Sequence, residues 1–363
     1  MPPATATTTK IFQDSFIVTI CRSFRFVKEA FCPACQSRHH LARLPTACQL
    51  RLKRDRVECG GTPTSMQALS SLLSGQIVAV HGRHYAVETA GGETLMCFPR
   101  GKRSRLACGD RVAVLRTAAG QGVIEAVDPR RTLLYRSDGH RQKLIAANVT
   151  QMIIVLATVP SFYEELLNRC LAAAAQQGIR TLIVLNKLDL AQPRAGTLQA
   201  LELYRSLGYT LLPLTAKLDV SPLRPYLSGQ LSVLVGQSGM GKSTIVNGIF
   251  PEARAPIGEV SFALDSGRHT TTYSRLYRLD GDSAVIDSPG MQEFGLSHLT
   301  QSELASAYVE FRGHLGRCRF ADCRHCDEPD CAISAAAARG EISAQRLEIY
   351  RNLARELVQR NPR

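Results

Sequence analysis

No run in this 363-residue chain comes near the ~18 consecutive apolar residues that a membrane-spanning helix needs. The most apolar stretch near the start, Ser15 to Ile20, is too short for a signal-peptide core. Both absences argue against a membrane or secreted protein, and the expectation is a cytoplasmic one. Acidic residues are also scarce, with 31 Asp and Glu against 44 Lys and Arg, for a net charge of +13. Such a balance suggests an anionic partner, most commonly nucleic acid. The excess is uneven. Residues 1–65 hold ten Lys or Arg and four Asp or Glu, so they carry +6 and the other 298 residues only +7. Cysteine is plentiful at twelve, and in a reducing compartment it favours metal sites or free thiols over disulfides.

Residues 1–65 show no clear period. They contain Cys32, Cys35, His39, His40, Cys48 and Cys59, a set that could hold zinc. Met66 stands immediately before the first well-patterned sequence. We expect residues 1–65 to be a poorly ordered extension, and Met66 or a nearby position to be the true start.

From about 70 to 128 the chain reads as five short strands with Gly-rich turns, around Gly75–Val80, Tyr85–Thr89, Thr94–Phe98, Asp110–Leu115 and Gly122–Val127. Five strands in under sixty residues suggest a small barrel of OB type. Between the third and fourth lies a basic loop with Arg100, Lys102, Arg103 and Arg105, which could bind RNA phosphates or simply face solvent.

From about 140 to 295 strands and helices alternate. Met152–Ala157 is continuously apolar, as in a parallel strand covered on both faces. A helix is expected over Tyr163–Gln177, with Ser161 as its N-cap and Gly178 at its end. Thr181–Leu185 and Leu231–Val235 read as further buried strands. The pattern is that of a doubly wound α/β domain.

Two motifs in this region carry the chemistry. Gly236-Gln237-Ser238-Gly239-Met240-Gly241-Lys242-Ser243 has full P-loop spacing, follows an apolar strand and opens a helix that Thr244 continues. Its glycines let backbone N–H groups close around phosphates, and the helix N-terminus adds favourable dipole. Lys242 should reach the β- and γ-phosphates, and Ser243 should ligate Mg²⁺. Asn186-Lys187-Leu188-Asp189 ends another apolar strand. A carboxylate there accepts from two N–H groups on one edge of guanine, which adenine cannot supply, so the wrong base leaves buried acceptors unpaired. Lys187 would lie along the ring. Thr215-Ala216-Lys217 follows the short strand Thr210–Leu212 and resembles the second guanine-contacting loop.

Asp287-Ser288-Pro289-Gly290 matches D-x-x-G, in which Asp287 would hold Mg²⁺ through water and the Gly290 N–H would meet the γ-phosphate. Gly267-Arg268-His269-Thr270-Thr271-Thr272 lies between this motif and the P-loop, where a switch I belongs. Thr271 is expected to complete the Mg²⁺ shell. Met291 follows Gly290, where Ras-like enzymes place a water-orienting Gln. Intrinsic hydrolysis should be slow, or another group must position the water. His269 is a candidate for that role, or for a structural hydrogen bond in its loop.

Finally, Cys318, Cys323, His325 and Cys331 fall within fourteen residues and offer the three sulfurs and one imidazole of a closed structural zinc shell. Cys326 is a fifth possible ligand. The segment has little core of its own and would need such a staple.

In an ordinary GTPase the P-loop precedes the guanine motif. Here it comes fifty residues after that motif, so the chain through the site is circularly permuted. The order N-K-L-D, T-A-K, G-Q-S-G-M-G-K-S, G-R-H-T-T-T, D-S-P-G resembles the circularly permuted GTPases of the RsgA (YjeQ/YloQ) family. With the barrel-like strands, the stretch Ala147-Asn148-Val149 and the C-x4-C-x-H-x5-C cluster, the resemblance covers roughly residues 70–363. It implies an α/β P-loop GTPase domain flanked by an OB-type barrel and a small helical zinc-binding domain. The expected boundaries are 66–130 for an RNA-binding barrel, 131–297 for the GTPase domain and 298–363 for the zinc domain. The resemblance further implies GTP hydrolysis in late maturation of the small ribosomal subunit, stimulated by that subunit, with ribosomal RNA contacted by the barrel and zinc domains. The cofactors it implies are one structural Zn²⁺ and Mg²⁺ with GTP, and His269 matches the family's switch-I histidine. Nothing suggests a self-association seam, so a monomer is expected. The alternatives are a nucleotide-gated RNA-binding module and a permuted GTPase serving another RNA or protein.

Overall fold

The computed structural model describes residues 72–101, 105–138, 141–190, 201–254, 274–287, 296 and 298–360. The described residues all belong to one unit.

The first five strands are β1 (Leu72–His81), β2 (His84–Thr89), β3 (Thr94–Pro99), β4 (Arg111–Ala118) and β5 (Gln121–Val127). They pair in the order β1-β2-β3-β5-β4, and β4 returns to β1, so the sheet closes on itself. The β3–β5 pair is parallel and the rest antiparallel, as an OB-type Greek-key barrel requires. Alternation fills the interior. Ile77, Val87, Leu95, Cys97, Val112 and Val114 point inward and are buried, and closure leaves no free edge to manage. Gly122 allows the tight approach inside, since a Cβ there would stand 2.5 Å from the Val114 side chain.

A hairpin, β6 (Leu133–Asp138) with β7 (Arg141–Ala147), leads to the second domain. There β8 (Gln151–Ala157), β9 (Arg180–Asn186), β10 (Thr210–Pro213), β11 (Leu231–Val235), β12 (Arg275–Arg278) and β13 (Ala284–Asp287) lie in the order β10-β9-β8-β11-β13-β12. All neighbours are parallel except β12 and β13. β8 shows why its sequence is apolar throughout. Met152, Ile154 and Leu156 face one core, while Ile153, Val155 and Ala157 face the other. Pro213 is the last residue of β10 and is paired with Leu185 of β9. β10 closes one end of the sheet order, and there a missing N–H costs nothing on the open side.

The helix over Glu164–Gln176 covers one face, and that over Lys242–Ile249 the other. The C-terminal part is helical at Gln301–Ala307, Ala332–Ala338 and Ala344–Arg360. Its apolar residues, Leu304, Tyr308, Phe311, Tyr350 and Leu353 among them, join the same core as Leu167, Leu171 and Ile154. The expectation that this segment has little core of its own is thus only half the account: it borrows one from the α/β domain.

Among the described residues no helix is long and apolar enough to cross a membrane.

Candidate functional site: a nucleotide cleft and a cysteine–histidine cluster

Three strand ends deliver the nucleotide motifs to one place. β11 ends at Val235 and the chain turns into the P-loop. Gly236, at φ +143°, sits so close to β8 that a Cβ would stand 2.3 Å from the Val155 carbonyl oxygen. Gly241 caps the following helix at φ +96°, and a Cβ there would meet the Asn186 amide nitrogen at 2.3 Å. Both positions therefore exclude any side chain.

Asn186 ends β9 and is buried. Its Nδ2 donates to the Met240 carbonyl at 3.0 Å, and its Oδ1 accepts from the Ala216 N–H at 2.9 Å. One amide thereby joins the guanine motif, the P-loop and the Thr215-Ala216-Lys217 loop. Lys187 has φ +62°, and its ammonium donates to the Val159 carbonyl at 2.6 Å. Asp189, two residues further on, is exposed.

Within the loop the Lys242 ammonium donates to the carbonyls of Gly236 (2.6 Å) and Gln237 (2.7 Å). Burial lowers its pKa, and Asp287 opposes that fall. Asp287, at the end of β13 and paired in register with Leu234 of β11, shows the mirror effect. Burial raises its pKa even though Lys242 pulls the other way. A divalent cation beside it would favour the charged form. Ser243 and Thr244 are exposed on the first turn of the helix. His269, Thr271 and Gly290 lie outside the described residues, as do Met291, Lys102, Arg103 and the cysteines and histidines before residue 66. Of the basic loop, Arg100 is exposed and pairs with Glu125 at 2.9 Å, and Arg105 is exposed.

One local expectation is overturned. Ser161 does not cap the helix after β8. The N-cap is Tyr163, with no side-chain cap of its own, and the Tyr163 N–H is taken by Gln237 Oε1 of the P-loop at 2.8 Å. A cap from a distant loop leaves no local signature, which is why the sequence pointed to the nearest serine. Gly178 does stand past the helix end, at φ +64°.

The second cluster is set by a tight turn. His325 adopts φ +62° and is buried, and its Nδ1 lies 3.5 Å from the sulfurs of Cys318, Cys323 and Cys331 alike. All four ligand atoms fall within 4.8 Å of one another. A tetrahedral ion with Zn–S of about 2.3 Å and Zn–N of about 2.05 Å puts nitrogen and sulfur about 3.5 Å apart. The donor set and its spacing fit zinc. Cys326 is not among the four, and its thiol turns to the Arg324 carbonyl at 3.7 Å. Burial pushes the Cys323 thiol up to about 12, whereas at Cys331 hydrogen bonds from Ser334 and Ile333 outweigh burial and lower it. A metal would remove the thiol protons from both. A cavity of about 1140 Å³ opens beside the cluster, lined by Thr300, Gln301, Phe320, His325, Tyr350 and Val358.

What holds this cluster against the GTPase domain had no signal in the sequence. Arg346, 1% exposed, pairs with Glu310, whose side chain is 6% exposed, and donates to Asn168 Oδ1 at 2.7 Å. Its guanidinium lies over the rings of Tyr204 and Tyr308, 5.0 and 4.8 Å from their centroids. Asn168 in turn donates to Tyr204 Oη at 2.9 Å. Arg169 pairs with Glu356 and Gln345 donates to Glu164, so the C-terminal helix is fastened along its length.

Comparisons with known proteins agree with this geometry. Residues 127–297 match the RsgA GTPase family model. The chain is 54% identical over 296 residues to the small ribosomal subunit biogenesis GTPase RsgA of Nitrosospira multiformis, covering 82% of this chain and 95% of that one. It is 50% identical over 293 residues to the protein of the same name from Nitrosomonas europaea, covering 80% and 93%. Among solved structures it resembles YjeQ from Thermotoga maritima, with 30% identity, a TM-score of 0.62, and 80% of this chain and all of that one covered. It also resembles YloQ, described as a circularly permuted GTPase, with 26% identity, a TM-score of 0.59 and 80% and 97% coverage.

Proposed function

The chain belongs to the RsgA family and is a circularly permuted GTPase of ribosome biogenesis, and from that premise we propose that it hydrolyses GTP in late maturation of the small ribosomal subunit, stimulated by that subunit. The observation that carries this reading is the Asn186 side chain, whose amide draws the guanine motif, the P-loop and the Thr215-Ala216-Lys217 loop into one nucleotide cleft despite the permuted order. The curated relatives carry the small subunit in their names.

In this reading Asp189 takes the guanine edge, Lys187 lies along the ring and the 215–217 loop meets the base oxygen. The backbone of 236–244 cradles the phosphates, with Lys242 reaching the β- and γ-oxygens in place of the two carbonyls it now meets. Ser243, Thr271 and Asp287 are the residues that would hold Mg²⁺, which neutralises charge developing on the phosphates. His269 orients or accepts a proton from the attacking water. Gly290 senses the γ-phosphate. Cys318, Cys323, His325 and Cys331 would hold a structural zinc with no open position for catalysis.

The functional boundaries are then 66–130, 131–297 and 298–363, with residues 1–65 an extension. The barrel, through Arg100, Lys102, Arg103 and Arg105, and the zinc segment bind ribosomal RNA. Nucleotide state passes from D-x-x-G to the zinc segment, because the chain after Asp287 runs directly into it. Arg346 limits the form of that relay. A rotation of the whole segment would strand a buried charge, so the movement belongs to the stretch entering at Leu296, Leu299 and Thr300, beside the cavity at the metal cluster.

Co-sedimentation with purified small subunits tests this reading. Binding should be tighter with a non-hydrolysable GTP analogue than with GDP, and competed poorly by large subunits. Equal binding in both nucleotide states would remove the relay, and no binding in either would remove the partner.

A further inference from the structure

The two helices that flank the site differ in how they begin. Gln301–Ala307 carries its own capping box. Thr300 Oγ1 accepts from the Glu303 N–H at 3.2 Å, and Glu303 Oε2 accepts from the Thr300 N–H at 2.8 Å. In such a box the third helical residue supplies the acceptor for the N-cap N–H. The helix Glu164–Gln176 has Leu166 at that position, and its N-cap, Tyr163, has no side-chain cap bond. The missing acceptor is Gln237 Oε1, 74 residues away in the P-loop.

Gln237 is therefore gripped twice. Its main-chain carbonyl accepts from Lys242 at 2.7 Å and its side chain holds the Tyr163 N–H. The segment that delivers Tyr163 touches the cleft at two further points. Val159 accepts from the Lys187 ammonium, and the Pro160 ring stands 3.5 Å from where a Cβ on Gly239 would be. The same helix carries Asn168, the partner of buried Arg346. The phosphate loop is thus moored to an element that the C-terminal segment also immobilises.

We propose that Gln237 is a positioning residue: its side-chain carbonyl clamps the phosphate loop to the N-terminus of the helix 164–176 and so holds the loop's N–H groups in phosphate-binding geometry. The inference rests on the GTPase reading and is independent of the ribosomal partner. GTP and GDP both carry the phosphates that the loop cradles, so loss of the clamp weakens both alike. That is the pattern of uniform binding, in which KM moves and kcat hardly does.

The test compares Gln237→Ala, Tyr163→Pro and the double variant in basal GTP hydrolysis, without ribosomes, together with GDP affinity. Tyr163→Pro removes the N–H together with the side chain and fixes φ close to the −91° already present, and Tyr163→Ala, which loses the same side chain but keeps the N–H, is the control. Each clamp variant should raise KM for GTP and Kd for GDP together by about two- to tenfold, the scale of one partly exposed hydrogen bond. The double variant should be no worse than either single one, since both remove the same bond. If Gln237→Ala weakens binding while Tyr163→Pro does not, Gln237 meets the nucleotide directly and the clamp is wrong. Additive losses would overturn it equally. Should Tyr163→Pro fail to fold, amide exchange decides. In Gln237→Ala the amides of residues 163–166 should exchange faster while residues 168–176 stay protected, and unchanged exchange at 163–166 refutes the clamp.

Discussion

The barrel and the C-terminal segment both lean on the GTPase sheet, but by opposite means. The C-terminal segment shares its hydrophobic core, and Arg346 crosses the junction as a buried cation held by Glu310, Asn168 and two tyrosine rings. The barrel has a core of its own, and only its margin, Cys108 with Val78 and Val80 against it, reaches the core of the α/β domain. It meets the sheet edge through one bridge, Ala79 with Arg275, a Val80 N–H to Ser274 bond at 3.2 Å, and the half-exposed pair Arg278–Glu88. On its other side Cys108 bridges to Ala146, Asn148 donates to the Gly109 carbonyl at 3.0 Å, and Asp110 pairs with Arg130. Apolar burial and a buried ion pair give way only together. Solvated polar pairs such as Arg278–Glu88 exchange with water one at a time, whereas Asp110, also at the barrel, is fully buried. The segment is therefore fastened to the α/β domain mainly by shared apolar core, and the barrel mainly by hydrogen bonds.

β12 sharpens this contrast. It lies between the switch-I motif and the D-x-x-G strand, and Arg275 is paired with Ala79 of the barrel on one edge and with Asp287 on the other. The barrel is thus hydrogen-bonded to the strand whose neighbour carries Asp287.

The comparison can be broken from either side. Metal removal should have the largest effect, since a structural zinc contributes on the order of 10 kcal/mol in isolated peptides. Chelator treatment should lower Tm and open the amides of residues 318–331, leaving those of the barrel protected. Next comes Arg346→Ala, which strands Glu310 in the core and should cost about 3–5 kcal/mol in urea unfolding. Arg346→Met, which keeps the apolar stem, should lose less if Glu310→Gln accompanies it. On the barrel side Asp110→Ala removes a fully buried carboxylate that holds Arg130 and the Ala107 N–H at 2.8 Å, and should cost about 1–3 kcal/mol. Arg278→Ala should be smallest, at or below about 1 kcal/mol, because its pair with Glu88 is solvated. An Arg278→Ala loss comparable to that of Arg346→Ala would contradict the contrast.

Much of this was legible in the sequence, because local chemistry demanded it. Continuous apolar runs marked β8, β9 and β11, since both faces of that sheet are covered. Glycine at 236 and 241 marked the P-loop, because a Cβ has no room. The order of the motifs gave the permutation directly, and the C-x4-C-x-H-x5-C spacing gave the metal cluster while leaving Cys326 open until its thiol was seen turned away. What escaped were bonds between residues remote in the chain. Tyr163 is capped from position 237, and Arg346 looks like one more basic residue on an amphipathic helix until Asn168 and Glu310 fold around it. Neither has a periodic or compositional trace, because the partner's identity matters only once the fold has delivered it.

The most direct test of the central claim is GTP hydrolysis by the purified, zinc-loaded protein with Mg²⁺, measured alone, with small ribosomal subunits and with large ones. The account predicts slow basal turnover that small subunits raise strongly and large subunits leave unchanged. Equal turnover in all three conditions, with the protein folded, would contradict it.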